Sequence, residues 1–348
     1  MHIHILGVNG FIGHALARRI LEETEWTLSG IDLTSDRLTP LLGHPRFEFR
    51  QGDIHRERPW IDQQIARSDI VFPLVAIAQP RRYVLEPIRV FELVFEENLR
   101  IVRMCLHHDT RVIFPSTSEV YGMCADETFN EETSPMVFGP TSKERWIYAS
   151  AKQMLDRIIW AYRTEGLRFT IFRPFNWIGP NQDDTRNDEP GSSRVVTQFL
   201  GHMLRREPVP LVEGGQQSRS FTYISDGIDA LMRIAENPGG VADNRIFNIG
   251  NPDNVCTIAE LADHMGRIVS GYPGYEDLMT GLALQPVSAG VFYGPGYQDV
   301  SRRRPDIAAL TAALGWRPRV GIQEALECTI GHYMKDRALA RTEYTAGP

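Results

Sequence analysis

Through the first half of the chain, short β-branched and aromatic runs alternate with longer stretches whose apolar positions recur every three to four residues. The strand-like runs are HIHILGV (2–8), TLSGIDL (27–33), RFEFRQGD (46–53), DIVFPLVA (69–76), RVIFPSTS (111–118) and RFTIFRPF (168–175). Helical periodicity falls near 11–24, 88–108 and 145–165. Strand, helix and strand in that order predict βαβ units and a parallel sheet, an α/β fold of the doubly wound Rossmann type.

After Phe175 the pattern changes. NWIGPNQDDTRNDEPGSS (176–193) is rich in Asn, Asp, Gly and Pro, which predicts a long loop over a site. Beyond it we expect a helix near 193–206, a strand pair within VPLVEGGQQSRSFTYI, a strand at RIFNIGN, and helices near 257–270 and 321–337. The expected division is a nucleotide-binding domain over 1–176 and a smaller, mainly substrate-binding lobe over 177–348. A segment near 220–250 is expected to return to the first domain.

Composition narrows the function by exclusion. With 37 basic and 44 acidic residues among 348, the net charge of -7 argues against a general electrostatic hold on nucleic acid or an anionic membrane. The apolar start lacks a basic leader, and no run of 18 apolar residues follows, so a cytoplasmic protein is expected. Cys105, Cys124, Cys256 and Cys328 form no CxxC pair, and histidines such as His107 and His108 have no ligand partner at a suitable spacing. That predicts a reducing compartment and no bound metal.

Two motifs carry chemistry. GVNGFIG sets Gly7, Gly10 and Gly13 between the first strand and first helix, where glycines permit a tight turn and close approach to a pyrophosphate at a helix N-terminus. Asp32 ends the second strand, where an acid accepts hydrogen bonds from an adenosine ribose and repels a 2′-phosphate, so NAD is favoured over NADP. Asp53, with Ile54 beside it, stands where an adenine amino group could be received. Leu74 and Ala76 of PLVAIA could line the cofactor. In the second motif, IYASAK, Tyr148 and Lys152 lie one helical turn apart on one face. An ammonium near a phenol favours the phenolate, a base able to take a hydroxyl proton as hydride leaves the same carbon. Thr117, in FPSTSEVYG, completes the set by hydrogen bonding the oxygen being oxidised.

With these motifs the chain resembles the extended short-chain dehydrogenase/reductase superfamily. ILGVNGFIG, PLVAIA, RVFEL, FEENLRI, FPSTSEVYGMC, RWIY, FRPFNWIGP, GSSR and GYQDV together resemble a narrower family, the UDP-glucuronic acid oxidative decarboxylase domain of bifunctional polymyxin-resistance enzymes. The resemblance implies catalytic roles for Thr117, Ser118, Glu119, Tyr148, Lys152 and Arg303. It implies substrate contacts at Ala78, Tyr83, Arg145, Asn176, Arg219, Tyr297 and Arg303, with Ser192, Ser193 and Arg194 of GSSR meeting a diphosphate. It further implies a UDP-sugar substrate and a homodimer paired through the helices near 88–108 and 145–165. This chain departs from the family at Gln216 and Ser218, where lysines are usual, and the formyltransferase half has no counterpart in these residues.

The chemistry explains a carboxylate beside the strand-end hydroxyls. Oxidising C4 of glucuronic acid makes a ketone β to the C6 carboxylate, so the electrons left by departing carbon dioxide can be held as an enolate. Glu119 would then disfavour the substrate carboxylate or manage a proton. The 4-keto product is either released or reduced again to UDP-xylose. Two other readings stay open: a UDP-glucuronate 4-epimerase or apiose-forming relative, and a non-catalytic dinucleotide-binding sensor.

Overall fold

The computed structural model describes residues 1–345. Its centre is a parallel sheet built from β1 (His2–Leu6), β2 (Thr27–Asp32), β3 (Phe47–Gln51), β4 (Ile70–Pro73), β5 (Arg111–Pro115) and β6 (Phe169–Pro174), with Arg245–Ile249 as a seventh strand. The spatial order is Arg245–Ile249, β6, β5, β4, β1, β2, β3. Buried on both faces, these strands need apolar residues at consecutive positions, and β4 and β5 are buried throughout. Register is set by pairs such as Ile3 opposite Leu28 on one side and Ile70 on the other.

Helices cover both faces. Phe11–Glu23 and Ile224–Glu236 lie on one, joining Leu16, Ile20, Ile228 and Leu231 to Ile3, Ile5 and Phe72 of the sheet. On the other, Arg58–Ala66, Asn98–His107 and Trp146–Tyr162 bring Ile61, Ile101, Leu155 and Ile159 against Val71, Val112 and Phe114. A third core joins Val195–Arg205, Ile258–Ser270 and the last helix, Ile322–Thr345, through residues such as Leu200, Leu261 and Leu326.

The structure corrects two local expectations and adds a helix that was not expected. The proposed strand pair in 209–224 does not pair with itself: Val209–Val212 runs beside Leu284–Val287, and Ser218–Ser220 lies between Val255–Thr257 and Arg302–Arg303. The stretch after Tyr223 is the helix Ile224–Glu236, which periodicity at 224, 228, 231, 234 and 235 would have revealed. The helix expected over 88–108 is interrupted by a π turn at Glu92–Glu97. There Asn98 turns inward, its amide donating to the carbonyls of Val75, Leu93 and Val94.

Successive strands leave β1 in opposite directions through β2 and β4. The crevice beyond their carboxyl ends is the usual ligand position in such sheets.

Candidate active site

At the end of β1 the chain turns on Gly7, whose φ is +82°, and its N–H donates to the Ile31 carbonyl at 2.8 Å. A side chain is excluded at Gly13 by the return of the helix onto the strand: a Cβ there would lie 2.3 Å from the Gly7 carbonyl oxygen. The Asp32 carboxylate accepts the N–H groups of Asn9 at 2.8 Å and Leu33 at 2.7 Å. Burial raises its pKa and these backbone donors oppose the rise. Arg37 donates to the Asn9 carbonyl at 3.2 Å and joins the wall of the same cleft.

From this turn a cavity of about 530 Å³ runs past β4 and β5 to the helices of the third core. Thr117 lies two residues past β5, and its hydroxyl accepts the Glu119 N–H at 3.2 Å, opening a short 3₁₀ turn. Tyr148 faces it from Trp146–Tyr162 and stacks on Tyr83, ring centroids 4.6 Å apart and planes 4° from parallel. Burial, then the charge of Glu119, pushes the Tyr148 phenol above its ordinary pKa, and a hydrogen bond with Thr117 opposes them. Lys152 donates from Nζ to the Pro115 carbonyl at 2.6 Å. Burial pulls it down to about 7, against the charge of Asp156.

Beyond the hydroxyls, Glu119 lies between two arginines. Its Oε2 accepts from Arg145 Nη2 at 3.1 Å, and its Oε1 from Arg303 Nη1 at 3.2 Å. Burial alone would raise its pKa, yet the two guanidinium charges outweigh burial and hold the carboxylate ionised. Arg145 is wholly buried, over the rings of Trp146 at 4.5 Å and Tyr297 at 4.9 Å. Arg303 is brought in by a strand of two residues that pairs it with Arg219. Arg219 donates to Asp299 at 2.8 Å, while Tyr293 stacks on Tyr297 at 4.1 Å.

Most residues picked from the sequence meet in this cavity. The three glycines, Leu74, Ala76 and Ala78 line one end; Thr117, Ser118, Glu119, Tyr148 and Lys152 line the middle. Tyr83, Asn176, Ser193, Arg194, Arg219, Tyr297 and Arg303 line the rest. Arg194 is already held by Asp183 and the Gln182 carbonyl, so it fastens the long loop as well as facing the cleft. Five others sit off the wall, Asp32 among them, held behind the glycine turn by the Asn9 N–H. Ser192 is turned outward, donating to the Glu189 carbonyl, and Arg145 stands behind Glu119. Asp53 caps the N–H of His55, and Ile54 packs into the sheet's core. The wall also contains Gln182, Asp183, Gln217 and Tyr293, which carried no motif in the sequence, and Asp299 of GYQDV, to which no role was assigned. Of the two expected lysine replacements, Gln216 is exposed and Ser218 partly so.

A model of the NAD dependent epimerase/dehydratase family matches residues 3–250. The chain belongs to that family. It is 48% identical to the PbgP3 protein from Burkholderia pseudomallei, over 98% of each chain, with a TM-score of 0.87. UDP-glucose 4-epimerase from Thermotoga maritima, solved with UDP-glucose, is 25% identical over 97% of this chain and 100% of that one, TM-score 0.77. UDP-glucuronic acid 4-epimerase from Bacillus cereus, solved with UDP-glucuronic acid and NAD, shares the fold at 20% identity over 96% and 99%, TM-score 0.78. NAD is the family's cofactor, and this chain fits it: the chain turns on Gly7 with a φ of +82°, Gly13 leaves no room for a Cβ, and the Asp32 carboxylate is held at the end of β2 by the Asn9 N–H. Among the described residues no cluster of His, Cys, Asp and Glu could hold a metal ion, and no helix is long and apolar enough to cross a membrane.

Proposed function

We propose that this protein oxidises C4 of UDP-glucuronic acid and releases C6 as carbon dioxide, giving a UDP-4-keto-pentose. When bound, NAD accepts the hydride from C4. Tyr148 takes the C4 hydroxyl proton, with Thr117 hydrogen bonded to the same oxygen and Lys152 and the cofactor's positive charge lowering the phenol's pKa. The C5–C6 bond then breaks, its electrons moving into the new C4 carbonyl as carbon dioxide leaves, and C5 is protonated.

One observation carries the decarboxylation: the ionised Glu119 between Arg145 and Arg303, beside Thr117. The lowered pKa of Glu119 argues against proton donation by that residue. It supports a different part, holding the Arg303 guanidinium toward the enolate oxygen while keeping it from gripping the substrate carboxylate too firmly. A 4-epimerase, which must retain that carboxylate, has no evident use for this arrangement.

The test is to incubate the purified protein with NAD and UDP-glucuronic acid, following nicotinamide absorbance and released carbon dioxide. Equal NADH and carbon dioxide are expected for product release, and carbon dioxide without lasting NADH for a cycle ending in UDP-xylose. Formation of UDP-galacturonic acid without carbon dioxide would overturn the reading in favour of epimerisation.

A further inference from the structure

The helix face bearing Tyr148 and Lys152 continues one turn further, to Asp156. Asp156 is 3% exposed and stands behind the cavity wall. Its Oδ2 accepts the Ser116 hydroxyl at 2.8 Å and two donors of Arg173, Nε at 3.2 Å and Nη2 at 3.0 Å. Ser116 lies between the two residues that reach the catalytic pair. Pro115 offers its carbonyl to Lys152, and Thr117 shares a hydrogen bond with Tyr148. An ion pair needed only for stability would be complete with Arg173. This one is also tied to the strand end on which the reactive groups converge.

We propose that Asp156 is a positioning residue of the oxidation step: through Ser116 it fixes the end of β5, and through its charge it keeps Lys152 an ammonium, so that Thr117, Lys152 and Tyr148 act on the sugar hydroxyl together. This rests on reading the cavity as a dehydrogenase site and is independent of decarboxylation. The groups around Lys152 define the expected effect. Its own helix supplies Asp156 and Tyr148; β5 supplies the Pro115 carbonyl and the Phe114 ring, 4.7 Å from Nζ. Arg173 approaches from β6 on the far side of Asp156. Around the phenol, Glu119 opposes ionisation, and Arg194 and Arg303 favour it. Removing the Asp156 charge therefore takes away the lysine's counter-charge and leaves Arg173 unpaired. Both changes disfavour the ammonium, and a weaker ammonium makes the phenol harder to ionise.

The experiment measures kcat/KM of the full chain against pH with saturating NAD, for wild type, Asp156→Asn and Asp156→Glu. UDP-glucuronic acid is the substrate, or whichever nucleotide sugar the wild type oxidises. For Asp156→Asn the ascending limb should move up by about one pH unit or more, with roughly a tenfold loss near neutrality that recovers at higher pH. Asp156→Glu should return the limb toward its original position. A phenolate absorbance titration of the NAD-bound protein, taken as the difference from Tyr148→Phe, should shift in parallel without turnover. A uniform loss at every pH, with both titrations unmoved, overturns the proposal. If Asp156→Asn does not fold, Ser116→Ala decides: kcat should fall about five- to tenfold with NAD affinity and Tm close to wild type, and an unchanged kcat refutes the idea. A wild type that oxidises no nucleotide sugar would overturn the proposed function, leaving the phenolate titration to judge Asp156.

Discussion

The two ends of the cavity are made by different means. At the end proposed to take the cofactor, the wall is made by backbone: one turn from Gly7 to Gly13 and the N–H groups that hold Asp32 come from neighbouring stretches of a single βαβ unit. At the end proposed to take the sugar it is made by charged side chains, and Glu119 and Arg303 are separated by 184 positions. A backbone cradle tolerates almost no added atom, whereas a cluster of ion pairs tolerates changes of shape but not of charge. The two ends should therefore fail differently when altered.

The largest effect is expected where space is absent. Gly13→Ala puts a methyl group 2.3 Å from the Gly7 carbonyl oxygen, which the turn holds by the Gly10 N–H. NAD affinity should fall about 1,000-fold or more, roughly 4 kcal/mol, measured by calorimetric titration beside circular dichroism. Retained tight binding would mean that the helix can withdraw from the strand, and the contrast between the two ends would be lost.

A smaller loss, of a different kind, is expected at the sugar end. Glu119→Gln leaves Arg145 and Arg303 without their shared counter-charge, so the substrate carboxylate should be held more firmly and given up more slowly. Carbon dioxide release should slow about 100-fold, near 2.7 kcal/mol, with KM unchanged or lower and NAD affinity within about twofold. An unaltered kcat would remove Glu119 from the chemistry.

The smallest effect sharpens the comparison by testing the scaffold beneath the sugar end. Glu131 accepts the Asn248 N–H at 2.7 Å close to Phe129, which bridges Pro305 beside the arginine run. Burial raises its pKa from 4.5 to about 7. Because the folded form holds the proton more tightly than the unfolded chain, the cost of ionisation is absent below pH 4.5, grows through the interval, and is complete above 7. Glu131→Gln should thus be more stable than wild type by roughly 1–2 kcal/mol at pH 8, the difference vanishing near pH 4 in denaturant titrations. Equal stability at both pH values would show that Glu131 is solvated.

The same contrast explains what was legible in the sequence. Strands buried on both faces announce themselves as apolar runs, and a glycine turn is local, so the sheet and the turn after β1 could be read directly. Tyr148 and Lys152 were visible because helix geometry fixes their spacing. The strands around 209–220 were misassigned because their partners lie at 255–257, 284–287 and 302–303, and no short-range pattern encodes that register. Ile224–Glu236 escaped notice because it follows a strand at once, and Tyr223 gives no side-chain cap to mark its start. Glu119 was found through chemistry and family resemblance, yet its clamp could not be foreseen: which arginines of a long chain converge on it is a property of the tertiary fold.

The strand Arg245–Ile249 lies at the margin of the sheet, against β6, after an excursion of the chain through the third core. A protein cut after residue 176 would keep the glycine turn but leave β6 as a bare edge with unpaired peptide groups, open to self-association. The excursion is sewn into the sheet at both ends, which predicts that the sheet and the third core melt in one cooperative transition and that the residues after 176 cannot be shed by limited proteolysis without precipitating the rest.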